Sequence, residues 1–323
     1  MQRLVIVDGH AILHRAYHAL PPLTTSSGEQ VNAVFGFISM LLRVISDLKP
    51  DYLAVAFDRP KPTFRKQLYV GYQAKRPKMD SELVPQIEIV HKVLKEMGVP
   101  IFEMDGYEAD DVIGTIAERI KNHELRIKNN GFDTVIVTGD RDLLQLIDDK
   151  TKVYMPVKGL SESKLYGEKE VEEKFGIKPE QIVDYKALVG DASDNYPGVP
   201  GIGPKTASSL LLHFSTLEEL YQHLGRVENG NIRKKLAENA DSAGMAKKLA
   251  TIIRDVPIAI DLEKCKLPDF DKPNVHKALE DLEFRSLILR LSGNGNKKKE
   301  LGTRNNELGI KNQKKQTEQI RMF

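Results

Sequence analysis

Three short apolar runs, each ending in aspartate, constrain the fold of this chain more than any other feature. They are residues 4–8 (LVIVD), 52–58 (YLAVAFD) and 134–142 (TVIVTGDRD). Apolar runs without polar alternation are typical of parallel strands buried on both faces, with helices as crossovers. We therefore predict an α/β fold with a mostly parallel central sheet flanked by helices. Binding sites in such sheets form outside the carboxyl ends of the strands. Four aspartates are expected there: Asp8, Asp58, Asp140 and Asp142.

A cluster of acids begins the helix that is predicted after residue 108. Glu108, Asp110 and Asp111 lie within four residues and are followed by an apolar-periodic run. Helix capping explains one or two acids at this position, because the helix dipole favours negative charge there. Three carboxylates this close repel one another unless a cation neutralises them. The cluster therefore slightly favours a divalent-metal site over capping.

A further acidic pair lies in residues 190–195 (GDASDN). Asp191 and Asp194 are three residues apart, so they face the same way if the segment is helical, although a solvated turn is the ordinary explanation. With this pair, nine carboxylates from five points of the chain can converge on one cleft: Asp8, Asp58, Glu108, Asp110, Asp111, Asp140, Asp142, Asp191 and Asp194. Oxygen ligands without His or Cys pairs favour Mg²⁺ or Mn²⁺ over Zn²⁺, and their number suggests two ions.

Residues 59–78 have the opposite composition. They carry seven Lys or Arg and no acid, interleaved with Phe64, Tyr69 and Tyr72. A charged run is usually a solvated surface, but aromatic residues beside an acid-ended strand favour a segment that binds phosphates and stacks on bases. We interpret it as a nucleic-acid contact.

The glycine-rich stretch at 198–207 (GVPGIGPKTA) predicts a tight connection between two helices. Such a turn exposes backbone N–H groups at a helix N-terminus and binds phosphate without reading sequence. A glycine-rich turn alone is a weak signal, and its spacing is not that of a phosphate-binding Walker motif.

Composition excludes several classes of protein. One cysteine among 323 residues excludes a disulfide scaffold, and no apolar run approaches the ~20 residues of a membrane helix. With no signal peptide visible, we expect a cytoplasmic, nucleoid-associated protein. Residues 292–323 carry eight Lys or Arg against three Glu with little apolar content, so we predict a disordered basic tail.

Taken together, these motifs resemble the 5′-nuclease domain of bacterial DNA polymerase I and, through it, the flap endonuclease superfamily. The resemblance runs from about residue 3 to 291. It is carried by VDG at 7–9, FD at 57–58, FR at 64–65, GYEADD at 106–111, TGDRD at 138–142, GDASDN at 190–195 and the glycine-rich stretch.

The resemblance implies a domain plan. An α/β nuclease core would occupy residues 1–165, with a basic arch at about 59–90 over the active site. A helical DNA-binding subdomain would follow at 166–291, with a helix-hairpin-helix at about 185–215.

The resemblance also implies roles for individual residues. Asp8, Asp58, Glu108 and Asp110 would hold one metal ion, and Asp142, Asp191 and Asp194 the other. Asp140 would lie between the two sites, and Asp111 would bind the first ion or lie just behind its ligands.

For the arch, the resemblance implies that Arg65, Lys75 and Arg76 neutralise charge at the scissile phosphate, and that Tyr72 stacks on a base. Relatives usually have Tyr-Lys here, whereas Gln73 follows Tyr72 in this chain, which weakens the assignment of Lys75 as the catalytic lysine. The hairpin would bind duplex DNA, often with a K⁺ ion, through Gly201, Gly203, Lys205 and Thr206.

The implied function is a monomeric 5′-3′ exonuclease and 5′-flap endonuclease that uses two-metal catalysis on DNA and RNA primers in replication and repair. Its substrates would be flaps, nicks and primers. A metal-dependent ribonuclease of the PIN class is an alternative, which the glycine-rich stretch and the basic arch disfavour. A non-catalytic DNA-junction-binding protein is another, which the full set of nine acids disfavours.

The last residues resemble peptides by which bacterial replication proteins bind the sliding clamp. Gln319, Ile320, Met322 and Phe323 would be the contacts, and the tail would tether a nuclease without an attached polymerase. A chance match in a five-residue window remains equally open.

Overall fold

The computed structural model describes residues 2–122, 131–159 and 162–292. Within these ranges, six strands form one sheet: β1 (Gln2–Asp8), β2 (Tyr52–Ala56), β3 (Ile101–Phe102), β4 (Phe132–Val137), β5 (Thr151–Lys158) and β6 (Glu162–Tyr166). Their order is β3-β2-β1-β4-β5-β6, and all neighbours are parallel except β5 and β6. The predicted α/β fold with a mostly parallel sheet is confirmed.

Helices cover both faces of the sheet and continue beyond it. The first group is α1 (Gly9–Ala19), α2 (Asn32–Leu48), α3 (Phe64–Leu68), α4 (Val84–Met97) and α5 (Ala109–Lys121). The second is α6 (Glu168–Phe175), α7 (Ile182–Val189), α8 (Pro204–Phe214), α9 (Leu217–Gln222), α10 (Gly230–Glu238) and α11 (Ala240–Ala250). The last two are α12 (Pro273–Asp281) and α13 (Arg285–Leu291). Short 3₁₀ turns lie at Asp142–Leu146, Pro179–Gln181, Leu224–Arg226 and Leu262–Cys265, and a two-stranded ribbon pairs β7 (Gly190–Asp191) with β8 (Tyr196–Pro197).

The central strand β1 divides the interior into two apolar cores. Leu4 and Ile6 face the core shared with α5 and the helices after β6, whereas Val5 and Val7 face the core formed with α1, α2 and α4. All four side chains are 2% exposed or less. Successive strand residues point to opposite faces, so an uninterrupted apolar run is needed when both faces are covered.

The C-terminal end of the described chain returns to the α/β core. Leu267 N donates to the carbonyl oxygen of Asp51 at 2.8 Å, and Arg290 Nη1 donates to Ser39 Oγ at 2.8 Å. Val275 of α12 is buried in the same apolar core as α2 and α4. The sequence placed residues up to 291 in the helical subdomain, but this last stretch packs on the α/β core because its apolar side chains are buried there.

Residues 59–78, which we call the basic segment, do not form one long helix. Helix α3 has only five residues, turns follow it, and α4 buries Val90 and Leu94 in the α/β core. In the predicted arch at 59–90, acidic residues are contacted by Thr63 before α3, by Arg65 in α3, and by Tyr72 and Arg76 between α3 and α4.

None of the helices in the described ranges is long and apolar enough to cross a membrane. The predicted tail beyond residue 292, including the clamp-like peptide, lies outside the described residues.

Candidate active site

Asp8 joins the end of β1 to the start of α1. Its Oδ1 accepts from Ala11 N at 3.0 Å, which caps the helix, and its Oδ2 accepts from Thr138 Oγ1 at 2.7 Å. Burial, with the nearby charges of Asp58 and Asp140, raises the pKa of Asp8 to about 7, although these hydrogen bonds oppose the shift. A nearby cation would favour the ionised form of this carboxyl.

Asp58 and Asp110 meet Asp8 at the same edge of the sheet. Asp58 Oδ1 accepts from Ala109 N at 2.7 Å, which fixes the first turn of α5 against the end of β2. Burial raises the pKa of Asp110 well above its ordinary value, and the charges of Asp140, Asp8, Asp58 and Glu108 add to the effect. Strand ends and a helix N-terminus thus bring these acids together, as the sequence predicted.

Glu108 precedes α5 and faces the basic segment. Its Oε1 accepts from Thr63 Oγ1 at 3.0 Å, and its Oε2 accepts from the Tyr72 hydroxyl at 3.1 Å. Burial raises the pKa of Glu108, and Arg65 opposes the shift. We call Asp8, Asp58, Glu108 and Asp110 the first carboxylate group.

Asp111 is more buried than Glu108 and Asp110, which are partly exposed. Its carboxylate is 0% exposed and accepts two hydrogen bonds from Arg65, Nη1 at 2.7 Å and Nη2 at 2.8 Å, besides those from Glu108 N and Ile253 N. Arg65 is 2% exposed; its Nε donates to the carbonyl oxygen of Leu249, and its Nη2 also donates to that of Thr251. The predicted contact of Arg65 with phosphate does not fit this placement, because a buried guanidinium with these partners cannot reach a substrate. For Asp111, two placements were predicted, and its burial behind Glu108 fits a position just behind the ligands of the first ion better than direct binding of the ion.

Asp142, Asp191 and Asp194 form a second carboxylate group. Each offers an oxygen within 4.8 Å of the others. Lys186 of α7 bridges two of them: its Nζ donates to Asp191 Oδ2 at 2.6 Å and makes a shorter contact with Asp142 Oδ1. Burial alone would raise the pKa of Asp191, but Lys186 and Ser193 lower it to about 2. The second carboxylate group therefore already binds one positive charge, the ammonium group of Lys186.

Asp140 lies between the two groups. Its backbone N donates to Thr138 Oγ1 at 2.9 Å, and its Oδ1 accepts from Asp142 N at 2.9 Å. Burial raises the pKa of Asp140, whereas Lys186 and Arg76 oppose the rise. Thr138 therefore links Asp8 to Asp140, and Asp140 links the first group to the second.

A cleft of about 520 Å³ opens beside the second group. Its lining includes Arg76, Asp140, Asp142, Lys186 and Asp191. Acids and bases together on one open wall suit a phosphate bound through a divalent cation.

The basic segment rests on this centre. The Tyr72 hydroxyl, a single donor, lies between two carboxylates, 3.1 Å from Glu108 Oε2 and 3.2 Å from Asp194 Oδ2, and the ring stacks on Tyr196 with centroids 6.4 Å apart. Because Tyr72 is only 3% exposed, it cannot stack on a base in this conformation, contrary to its predicted role. Arg76 Nη2 donates to Asp194 Oδ1 at 2.8 Å with half of its side chain exposed, and Lys75 is exposed.

The glycine-rich stretch connects the β7–β8 ribbon to α8. Gly201 has φ +79°, which favours glycine, and a Cβ on Gly198 would lie 2.4 Å from the carbonyl oxygen of Leu188. Gly203 is the N-cap of α8, while Lys205 is exposed and Thr206 half-buried in its first turn. The loop therefore leaves this helix N-terminus accessible.

Lys186 and Thr138 were not singled out from the sequence. Lys186 lies five residues before Asp191, on the helix that precedes the acidic pair. This spacing was a weak sequence signal that Lys186 lies near the pair. Thr138 is the first residue of the TGDRD motif at 138–142, but only the structure shows that its hydroxyl donates to Asp8 at the end of the neighbouring strand.

Two family models cover most of the chain. Residues 3–176 match "5′-3′ exonuclease, N-terminal resolvase-like domain", and residues 177–273 match "5′-3′ exonuclease, C-terminal SAM fold". The chain belongs to the 5′-3′ exonuclease family. The family is one of nucleases, and this membership confirms the resemblance found in the sequence.

Relatives in this family include DNA polymerase I of Caldicellulosiruptor bescii, which is 44% identical over 291 residues. The match covers 90% of this chain and 33% of that protein, so the chain spans about a third of the length of the relative.

Solved structures share the fold of this 5′-3′ exonuclease family member. The T5 D15 protein, co-crystallised with metal ions, has a TM-score of 0.64 at 18% identity, covering 92% of this chain and 99% of that chain. Flap endonuclease-1 from Methanococcus jannaschii has a TM-score of 0.56 at 19% identity, covering 91% of each chain.

The residues present fit divalent metal ions. Burial raises the pKa of Asp8 to about 7 and that of Asp110 well above its ordinary value, so a nearby positive charge would favour ionisation of both carboxyls. An acidic cluster of this kind needs a cation to ionise fully, and oxygen-only donors suit hard divalent ions.

Proposed function

We propose that the chain is a structure-specific 5′-nuclease that hydrolyses phosphodiester bonds of DNA and RNA primers at 5′ ends and 5′ flaps. The observation that carries the proposal is the second carboxylate group, whose three acids approach within 4.8 Å beside an open cleft and adjoin the first group through Asp140.

The proposal assigns one Mg²⁺ or Mn²⁺ ion to each group. The first would be held by Asp8, Asp58, Glu108 and Asp110, and the second by Asp142, Asp191 and Asp194, with Asp140 between them. When bound, two such ions lower the pKa of a water molecule and stabilise the oxygen that leaves phosphorus. We assign Asp111 and Arg65 to holding Glu108 in place, because both are buried and bound to each other.

Basic residues of the chain would orient the substrate. Arg76 and Lys186 line the cleft, and Lys75 is exposed on the segment above it, so all three can approach a phosphate. A phosphate would compete with Asp194 for Arg76 and with Asp142 and Asp191 for Lys186. Both side chains would then change partners as metal and substrate enter.

Duplex DNA would bind at the glycine-rich loop and the N-terminus of α8. Gly201, Gly203, Lys205 and Thr206 supply backbone N–H groups, a hydroxyl and one positive charge, which suit a phosphate backbone and, at the loop, a K⁺ ion on carbonyl oxygens. We also propose that residues 319–323 bind a sliding clamp and that the protein acts as a monomer.

The experiment is cleavage of a 5′-labelled flap duplex with Mg²⁺ or EDTA. We expect Mg²⁺-dependent cutting near the junction that Asp142→Ala and Asp110→Ala each abolish. Asp133→Ala is the control, because Asp133 pairs with Arg3 at 2.8 Å near the opposite end of the sheet, and it should cut like the wild type.

Other outcomes would favour the alternatives. Tight flap binding without cutting under any divalent ion would support a non-catalytic junction-binding protein. Preferential cutting of single-stranded RNA would support a PIN-type ribonuclease.

A further inference from the structure

The buried side-chain amide of Gln145 joins the second carboxylate group to helices α6 to α11, which we call the helical part of the protein. Gln145 lies in the 3₁₀ turn that begins at Asp142 and is 5% exposed. Its Nε2 donates to the carbonyl oxygens of Asp142 at 3.0 Å and Ala250 at 2.9 Å, and its Oε1 accepts from Ile252 N at 3.0 Å. All three bonds are to backbone groups, so the side chain fixes the two segments against each other.

The first carboxylate group is tied to the same stretch. Arg65 donates to the carbonyl oxygens of Leu249 and Thr251, at 2.9 and 2.8 Å, and Asp111 accepts from Ile253 N at 2.9 Å. Asp111 also accepts from Glu108 N at 3.0 Å. We call residues 249–253 the α11 strap, since they comprise the last two residues of α11 and the three that follow, and they contact the supports of both groups.

Helix α11 is itself bound to the rest of the helical part. Lys247 donates to Asp184 of α7 at 2.7 Å and to Glu218 of α9 at 2.6 Å, and Ser242 Oγ donates to the carbonyl oxygen of Gly198 at 2.9 Å. The α11 strap therefore continues a helix that packs beside the glycine-rich loop.

We propose that Gln145 is a positioning residue for the second metal site: it sets the backbone at Asp142 against the α11 strap and so links metal affinity to the placement of the helical part. The inference rests on the proposed function, since it concerns the metal ion assigned to Asp142, Asp191 and Asp194.

The physical reason lies in the cost of unpaired backbone groups. Without the amide, the carbonyl oxygens of Asp142 and Ala250 and the N–H of Ile252 would be left without this partner in a buried place. The turn would shift to recover hydrogen bonds, and the Asp142 carboxylate would move with it. Loss of such an outer support of a metal ligand typically lowers metal affinity about 10–100-fold.

Gln181 offers a matched control. It is 8% exposed, its Nε2 donates to the carbonyl oxygens of Leu211 and Ser215 at 2.9 and 2.8 Å, and its Oε1 accepts from Lys178 N at 3.0 Å. It thus has the same three kinds of bond as Gln145, but its partners are not residues of either carboxylate group.

The experiment compares Gln145→Met with Gln181→Met and the wild type. Both variants keep the side-chain volume and should lose a similar amount of thermal stability. Mn²⁺ affinity of the DNA-free protein, measured by electron paramagnetic resonance, should fall about 10-fold or more in Gln145→Met and stay within about twofold in Gln181→Met. The Mg²⁺ concentration for half-maximal cleavage should rise in parallel, and excess Mg²⁺ should restore the rate of Gln145→Met.

Each other outcome counts against the inference. Equal Mn²⁺ affinity in Gln145→Met and the wild type, or an equal loss in both variants, overturns it while leaving the proposed function intact. A wild type that binds no Mn²⁺ and cuts with no divalent ion overturns both. If Gln145→Met does not fold, Gln145→Glu, which keeps the acceptor for Ile252 N, is judged by the same affinities.

Discussion

Arg65 and Asp111 form a buried ion pair with two parallel hydrogen bonds, Nη1 to Oδ2 at 2.7 Å and Nη2 to Oδ1 at 2.8 Å. Neither side chain is more than 3% exposed. The pair lies behind Glu108 and beneath the α11 strap. It thus connects the basic segment, helix α5 and the helical part of the protein.

Removing one partner should destabilise the protein strongly. Arg65→Met leaves the Asp111 carboxylate buried without its cation, and we expect a loss of about 3–5 kcal/mol in the free energy of unfolding. Urea unfolding measures it. Adding Asp111→Leu should recover part of the loss, since both charges are then gone. A loss of under about 1 kcal/mol in Arg65→Met would contradict the prediction, because that is the value of an exposed pair.

Asp8 should make the metal-free protein less stable as pH rises. An acid whose pKa is raised by folding, here from 3.8 to about 7, holds its proton more tightly in the folded state. That contribution is complete at low pH and is lost as pH rises from about 4 to about 7. In EDTA, Asp8→Asn should therefore gain stability relative to the wild type over this interval, by urea unfolding at each pH. A constant difference between the two proteins across the interval would contradict the raised pKa.

Tyr72→Phe should distinguish a hydrogen-bonding role from base stacking. The variant keeps the ring but removes the one hydroxyl donor that Glu108 and Asp194 share. We expect the metal-free protein to lose about 1.5–3 kcal/mol, typical of hydrogen bonds to charged groups. Tyr69→Phe, three residues away and half-buried, is the control and should change little. Wild-type stability in Tyr72→Phe would favour the stacking role that the sequence indicated.

Lys186→Met should increase the stabilisation of the protein by metal ions. Lys186 neutralises Asp142 and Asp191 in the metal-free protein and competes with a metal ion for the same oxygens. Without it, the metal-free melting temperature should fall, and the increase on adding Mn²⁺ should exceed that of the wild type, because binding to the folded state stabilises in proportion to affinity. Lys169→Met, at an exposed lysine of α6, is the control. A smaller Mn²⁺-dependent increase in Lys186→Met than in the wild type would mean that Lys186 supports the metal site.

Much of the fold and most of the acidic centre could be predicted from the sequence. An apolar run without polar alternation has few solutions besides a buried parallel strand, so Asp8, Asp58 and Asp140 had to lie at one edge of the sheet. The acids of residues 106–111 and 190–195 could be recognised from the sequence as candidate metal ligands, because like charges in a cluster repel one another unless a cation neutralises them.

Only the tertiary structure decided which charged residues face the cleft. Arg65 and Arg76 belong to the same basic segment, yet Arg65 is buried against Asp111 and Arg76 lines the cleft. Asp110 and Asp111 are adjacent, but successive helix positions point about 100° apart, so one faces the acids and the other faces inward. Gln145 and Lys186 owe their roles to residues far away in the chain or on a neighbouring element. The sequence of a segment determines whether its apolar residues repeat at helix or strand spacing. Whether a side chain is buried, and which residues it contacts, depends on the segments that pack against it, and these lie elsewhere in the chain.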